Sequence, residues 1–178
     1  MAQADNAFRI LGLPERFDLD AGSIEENWRR AIALVHPDRF ADKSAAERRV
    51  AEQWAGRINE AREALIDPVR RAQMLLAAAG VDVGAESDTR MPPDFLLEQM
   101  SWREELEEGC GEPERLAQLA GRVEASRSAL IEELTQAIDC RRDWESARNA
   151  VRRLMFVEKF RRELERGMHA DGPGAQPL

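Results

Sequence analysis

Trp28-Arg29-Arg30-Ala31-Ile32-Ala33-Leu34-Val35-His36-Pro37-Asp38-Arg39 decides how the first half of this 178-residue chain folds. Ile24, Trp28, Ala31, Ile32 and Val35 share one stripe at helical spacing, and Ser23 and Glu26 stand at capping-box spacing before it. That helix must stop near His36, because Pro37 has no N–H and biases the residue before it away from helix. A longer helix opens at Ser44-Ala45-Ala46-Glu47, a second capping box, and carries Val50, Trp54, Ile58, Ala61 and Leu65 on its stripe. It ends at Asp67-Pro68. These residues predict two antiparallel helices joined by a short loop in which Pro37 fixes the backbone, so that His36 and Asp38 project from a rigid corner.

Outward from this pair, Phe8, Leu11 and Leu13 form a short apolar segment that stops at Pro14. On the other side, Val69 to Ala79 continues for a further turn or two and finishes at Gly80, a C′ glycine by position. The stretch from Gly80 to Pro93 has little periodicity and reads as a linker. Three helices follow, at 94–108, 113–140 and 143–167, broken at Gly109-Cys110-Gly111-Glu112-Pro113 and at a tight corner from Asp139 to Asp143. The middle one keeps a seam through Leu116, Leu119, Val123, Leu130 and Ala137, and the third buries Trp144, Ala147, Val151 and Leu154. Loops this short favour an antiparallel up-down-up bundle. From His169 the chain reads as a frayed tail. The predicted fold is all-α, with domains at 1–79 and 94–167, a linker at 80–93 and a tail at 168–178.

Composition narrows the function. The net charge is -8, which argues against nucleic acid as a partner, since a duplex binder needs a basic surplus to displace counterions. The acidity is uneven: residues 1–79 hold 12 basic and 13 acidic side chains, the remainder 14 and 21. No apolar run approaches the roughly 20 residues of a membrane span. No basic or long apolar leader is visible at Met1-Ala2-Gln3-Ala4-Asp5, so a soluble, cytoplasmic protein is expected. Cys110 and Cys140 stand 30 apart without a CxxC pair, which makes neither a zinc ribbon nor a four-ligand cluster site, so no metal or cofactor is expected. His36 and Asp38 have the residue types of a base and its orienting carboxylate, but no nucleophile turn, phosphate loop or metal-ligand cluster accompanies them. An enzyme is therefore not expected.

The array as a whole, with the basic helix before His36-Pro37-Asp38 and Ile58-Asn59-Glu60-Ala61, Leu65 and Asp67-Pro68 after it, closely resembles the J-domain over residues 5 to about 75. J-domains activate heat-shock chaperone ATPases of the DnaK type. The resemblance implies that Arg29, Arg30, His36, Pro37, Asp38 and Arg39 dock on such a chaperone. The second half lacks the Gly/Phe-rich and paired CxxC segments of general folding J-proteins. A J-domain followed by a short acidic helical bundle is similar to the HscB family, the J-proteins of iron–sulfur cluster assembly. That resemblance extends to Phe8-Arg9-Ile10-Leu11-Gly12-Leu13-Pro14, Phe95-Leu96-Leu97-Glu98-Gln99-Met100 and Arg103-Glu104-Glu105-Leu106.

At about 100° per residue, Phe95, Trp102 and Leu106 fall together and face inward. Leu97, Met100, Glu104 and Glu108 fall opposite, with Leu96 at the border. An apolar patch edged by charge is what a partner site looks like. The HscB resemblance implies that Leu96, Leu97, Met100, Glu104 and Glu108, joined by Phe156 of the third helix, hold the scaffold protein IscU for delivery to an HscA-like DnaK-type chaperone. Ser101 stands where the family more often has an acid, which implies a weaker polar contact there. Two readings stay open. Leu96, Leu97 and Met100 could be core in a bundle where each helix touches two others, and Phe160 and Leu164 share the Phe156 side of the third helix. A general holdase that captures unfolded clients through the same surface is the alternative function, and an acidic balance disfavours a helical DNA-binding regulator.

Overall fold

A computed structural model describes residues 6–84, 91–109 and 111–170, and every regular element among them is helical. The helices are α1 (Ala7–Ile10), α2 (Ala21–Leu34), α3 (Ala45–Ile66), α4 (Pro68–Ala78), α5 (Pro93–Glu108), α6 (Pro113–Thr135) and α7 (Trp144–Ala170). They divide into two compact units, Met1–Ala78 and Ala79–Leu178.

In the first unit α1 and α2 both pack on α3, with α4 closing the group. Phe8, Leu11, Phe17, Ile24, Ile58, Leu65 and Leu76 are buried there. The caps explain the helix starts. Asp20, not Ser23, begins α2: its carboxylate accepts the Ser23 backbone N–H at 2.8 Å and the Ser23 hydroxyl at 3.2 Å. The expected Ser23–Glu26 box does not form, because the helix starts three residues earlier and Ser23 already lies inside its first turn, with its N–H given to Asp20. The Ser44–Glu47 box forms as expected, with the Ser44 N–H donating to Glu47 at 2.9 Å and the Glu47 N–H to Ser44 Oγ at 3.3 Å. One stripe needs correction. Ile58, Ala61 and Leu65 are buried, but Val50 and Trp54 are 53% and 40% exposed, with Arg57 stacked 5.3 Å from the Trp54 ring centre. Arg71 of α4 lies 5.0 Å from the Phe17 ring centre and donates to the Leu65 carbonyl at 2.8 Å.

The second unit is a three-helix bundle of α5, α6 and α7. The seam through Leu116, Leu119, Val123, Leu130 and Ala137 is buried, as are Ala147, Val151 and Leu154, while Trp144 is only half-buried. The middle helix does not stay α-helical to residue 140. It widens into a π-helical turn, Gln136–Arg141, and Arg142 takes a left-handed φ of 53° before Asp143 caps α7 through Ser146. Helix α7 runs to Ala170, past the expected end at 167. The rest of the expected tail, 171–178, and part of the expected linker, 85–90, lie outside the described residues. Ion pairs cross-link the helices: Glu105 of α5 with Arg122 of α6, Arg127 of α6 with Glu158 of α7 at 2.7 Å, and Glu133 of α6 with Arg153 of α7.

Candidate functional site

The first site is a corner. His36 caps a 3-10 turn over Pro37–Phe40, with Pro37 at its first position, where a missing N–H costs nothing. The His36 Nδ1 accepts the Asp38 backbone N–H at 3.4 Å and lies 3.4 Å from an Asp38 carboxylate oxygen. His36, Pro37 and Asp38 are all exposed at this corner. Arg39 donates to the Ala33 carbonyl at 3.3 Å, satisfying an orphan acceptor in the last turn of α2 and tying the corner to that helix. Arg29 and Arg30 are exposed on α2. Arg30 pairs with Glu26, whereas Arg29 has no ion-pair partner among the described residues. The expected basic surround is present, but one of its three charges is partly offset.

Sequence reasoning passed over what holds α2 in place. The Trp28 indole N–H donates to Asn59 Oδ1 at 2.9 Å. Arg62 lies 4.9 Å from the Trp28 ring centre and donates to Glu25 at 2.7 Å. Asn59 was visible in the Ile58-Asn59-Glu60-Ala61 run, but its partner lies 31 residues away. Periodicity alone carries no signal for such a pair.

The second site lies along α5. Phe95 and Trp102 are buried, and Leu106 is half-buried. On the other side Leu96, Leu97 and Met100 are 44%, 65% and 59% exposed, so none of them is core within this chain. Glu104 and Glu108 are exposed further along the helix, and Glu108 lies 3.3 Å from Arg115 of α6. Phe156 is half-buried. Its ring meets Phe95 edge-on at 5.9 Å, stacks on Phe160 at 6.3 Å and lies 5.9 Å from the Arg103 guanidinium. Phe160 and Leu164 are buried, so α7 does bury two faces and Phe156 stands at the margin between them. Ser101 is spoken for locally, donating to Glu105 at 3.0 Å. The arrangement can present an apolar surface with carboxylates at one end, which suits protein recognition rather than bond-making chemistry.

Similarity to known proteins narrows the reading. The co-chaperone protein HscB homolog of Bordetella avium (strain 197N) is 47% identical over 161 residues, spanning 90% of this chain and 96% of that protein. The chain belongs to the HscB co-chaperone family. The HscB homolog of Azoarcus sp. (strain BH72) is 41% identical over 165 residues, covering 92% of this chain and 93% of that one. The family model described as the HSCB C-terminal oligomerisation domain matches residues 91–165, which span α5, α6 and most of α7. The solved chaperone HscB from Vibrio cholerae superposes with a TM-score of 0.79 at 34% identity, over 93% of this chain and 99% of that one. Human co-chaperone protein HscB, at 22% identity and a TM-score of 0.84 over 93% of this chain and 83% of that one, shows the same fold. The all-α plan of a J-domain followed by a C-terminal helical bundle is thus the HscB plan. HscB proteins are co-chaperones, not enzymes.

Metal chemistry finds no group of three or more His, Cys, Asp or Glu side chains among the described residues. Cys140 is a free, exposed thiol, and Cys110 lies outside the described residues. No described helix is long and apolar enough to cross a membrane.

Proposed function

We propose that this HscB-family chain is a two-site adaptor of iron–sulfur cluster assembly. Its corner at His36-Pro37-Asp38, with Arg29, Arg30 and Arg39, docks on an HscA-like DnaK-type chaperone and stimulates its ATPase. Its bundle holds the scaffold IscU on Leu96, Leu97, Met100, Glu104, Glu108 and Phe156. One observation carries this reading: a single helix buries Phe95 and Trp102 while leaving Leu96, Leu97 and Met100 in solvent. Exposed apolar side chains contribute little to folding, and clustered on one face they lower free energy only when a partner covers them. The rigid corner supports the chaperone half, because a recognition group held by Pro37 and by its own backbone loses little entropy on docking. Holding both partners at once raises their effective concentration near each other.

The test is an ATPase assay on the cognate chaperone with and without IscU. Stimulation by the chain alone, and a further increase when IscU is added, is the expected result. No stimulation at any concentration overturns the chaperone half, and stimulation indifferent to IscU overturns the scaffold half. A second occupant of the α5 face is suggested by the description of the matching family model as an oligomerisation domain. On that reading a second copy covers Leu96, Leu97 and Met100. Sedimentation then shows a concentration-dependent dimer that IscU does not dissociate; a monomer, or a dimer that IscU splits, favours the adaptor.

A further inference from the structure

Leu34 is the last residue of α2, and 65% of it is exposed. A single exposed leucine is ordinary on a protein surface. Its position sets this one apart. The other large apolar side chains of α2 are covered: Ile24 is buried, and Trp28 and Ile32 are half-buried. Leu34 lies about 120° around the helix from Trp28 but only about 40° from Arg30, so it continues the exposed basic face rather than the side packed on α3. The carbonyl end of a helix carries partial negative charge and favours a cation. The last turn of α2 holds no basic side chain, and an exposed leucine stands there instead. A lysine at this position would suit the dipole and extend the charge of Arg29 and Arg30. The support beneath Leu34 is firm. Arg39 Nη1 donates to the Ala33 carbonyl at 3.3 Å, the Val35 N–H to the Ile32 carbonyl at 3.1 Å, and the Arg39 N–H to the His36 carbonyl at 3.0 Å. Ala33, Leu34, His36 and Pro37 are all exposed on this pinned turn.

We infer that Leu34 is an apolar anchor of the chaperone-docking surface, seated in an apolar recess of the chaperone beside the carboxylates that meet Arg29 and Arg30. The inference rests on the chaperone half of the adaptor reading proposed above and adds a residue to it. Charges across an interface steer the encounter and set its rate, whereas a few desolvated apolar anchors hold the complex. Leu34 is the one large apolar side chain that α2 offers to a partner, and it stands two residues from His36. Held by the bonds of Arg39 and Val35, its backbone loses little freedom on docking. Arg29 and Arg30 thus bring the chaperone in, and Leu34 slows its departure.

The experiment titrates the full chain into the ATPase of the HscA-like chaperone, at low and at high salt, as wild type and as Leu34→Ala, Leu34→Lys and Leu34→Met. Half-maximal stimulation is expected at about tenfold higher concentration for Leu34→Ala and Leu34→Lys, with the loss in that concentration rather than in the plateau. Leu34→Met, which keeps apolar volume, is expected within about twofold of wild type. The loss in Leu34→Ala should persist at high salt, because an apolar contact is not screened. A Leu34→Lys variant that stimulates at the wild-type concentration or below it overturns the anchor, since charge alone then governs docking on α2. A Leu34→Ala loss that vanishes at high salt, or that lowers only the plateau, overturns it as well. If Leu34→Lys loses helicity by circular dichroism, Leu34→Ala and its recovery in Leu34→Met decide. A wild-type chain that gives no stimulation at any concentration refutes the chaperone reading and the anchor with it, whereas wild-type stimulation with an unaffected Leu34→Ala refutes the anchor alone.

Discussion

Truncating the α5 face separates a docking surface from a core. Leu97 and Met100 are 65% and 59% exposed, so only roughly a third and two-fifths of each is covered. Full burial of such a side chain is worth about 1.5–3 kcal/mol, which scales to about 0.7 kcal/mol of packing each. Alanine returns a few tenths of a kcal/mol in helix propensity at each position. Leu97→Ala with Met100→Ala should therefore cost about 1 kcal/mol of folding free energy, a shift of about 4–8 °C in melting temperature for a domain of this size. Trp102, 2% exposed and in contact with Phe160 at 5.4 Å, is the contrast. Trp102→Ala should cost about 3–5 kcal/mol and melt the bundle at least about 12 °C early. Anchors at an interface cost about 1–4 kcal/mol each when truncated, so the double variant should lose at least about tenfold in IscU affinity. Circular dichroism melting and titration calorimetry with purified IscU measure the two quantities. A double variant that melts early yet binds IscU normally once folded would falsify the assignment of this face.

Other outcomes follow from the same geometry. His36→Gln should abolish ATPase stimulation while leaving helicity and IscU affinity unchanged, because an exposed corner side chain contributes little to folding; normal stimulation by that variant removes the central role of the loop. Ser44→Ala should lower the stability of the first unit by about 1 kcal/mol in chemical denaturation, with Ser44→Asp recovering most of it, and equal loss in both variants argues against the cap. Burial raises the Glu158 carboxyl, but hydrogen bonds and charge from Arg127 and Arg161 outweigh it and hold the group below its ordinary 4.5. Glu105 is held low by its hydrogen bond from Arg122. Carboxylates with lower values folded than unfolded take up protons more readily when unfolded, so the stability they confer is complete above about pH 4.5 and is lost as pH falls through their folded values. Acid melting should show that loss, and Glu158→Gln should both lower stability at neutral pH and flatten its decline as pH falls below about 4.5.

Legibility followed the range over which each interaction acts. The Ser44–Glu47 box spans three residues, and it formed as read. Asp20, three residues before Ser23, caps α2, and spacing alone does not rank two candidate cap positions one turn apart. At α5 the helical wheel separated Phe95 and Trp102 from Leu97 and Met100 correctly, since a helix lying on a bundle has one covered and one uncovered side. The wheel puts Glu108 on the side opposite Trp102, but carries no sign of Arg115, which reaches it from the next helix. Trp28 with Asn59, and Arg152 with Val83, are separated by 31 and 69 residues, beyond anything periodicity reports.

The sequence by itself determined which segments are helical, where Pro37 and the 109–113 break interrupt them, and that His36 and Asp38 share a rigid corner. These are local matters of backbone dihedrals, missing N–H groups and spacing within a turn or two. Tertiary structure alone decided how far along a helix its stripe is covered. Val50 and Trp54 stay in solvent although they share a stripe with Ile58 and Leu65, while Ala51 beside them is 4% exposed. Periodicity gives the angle of a side chain around its own helix axis, but which angle is covered at each height depends on the neighbours packed there, and only the folded chain supplies them.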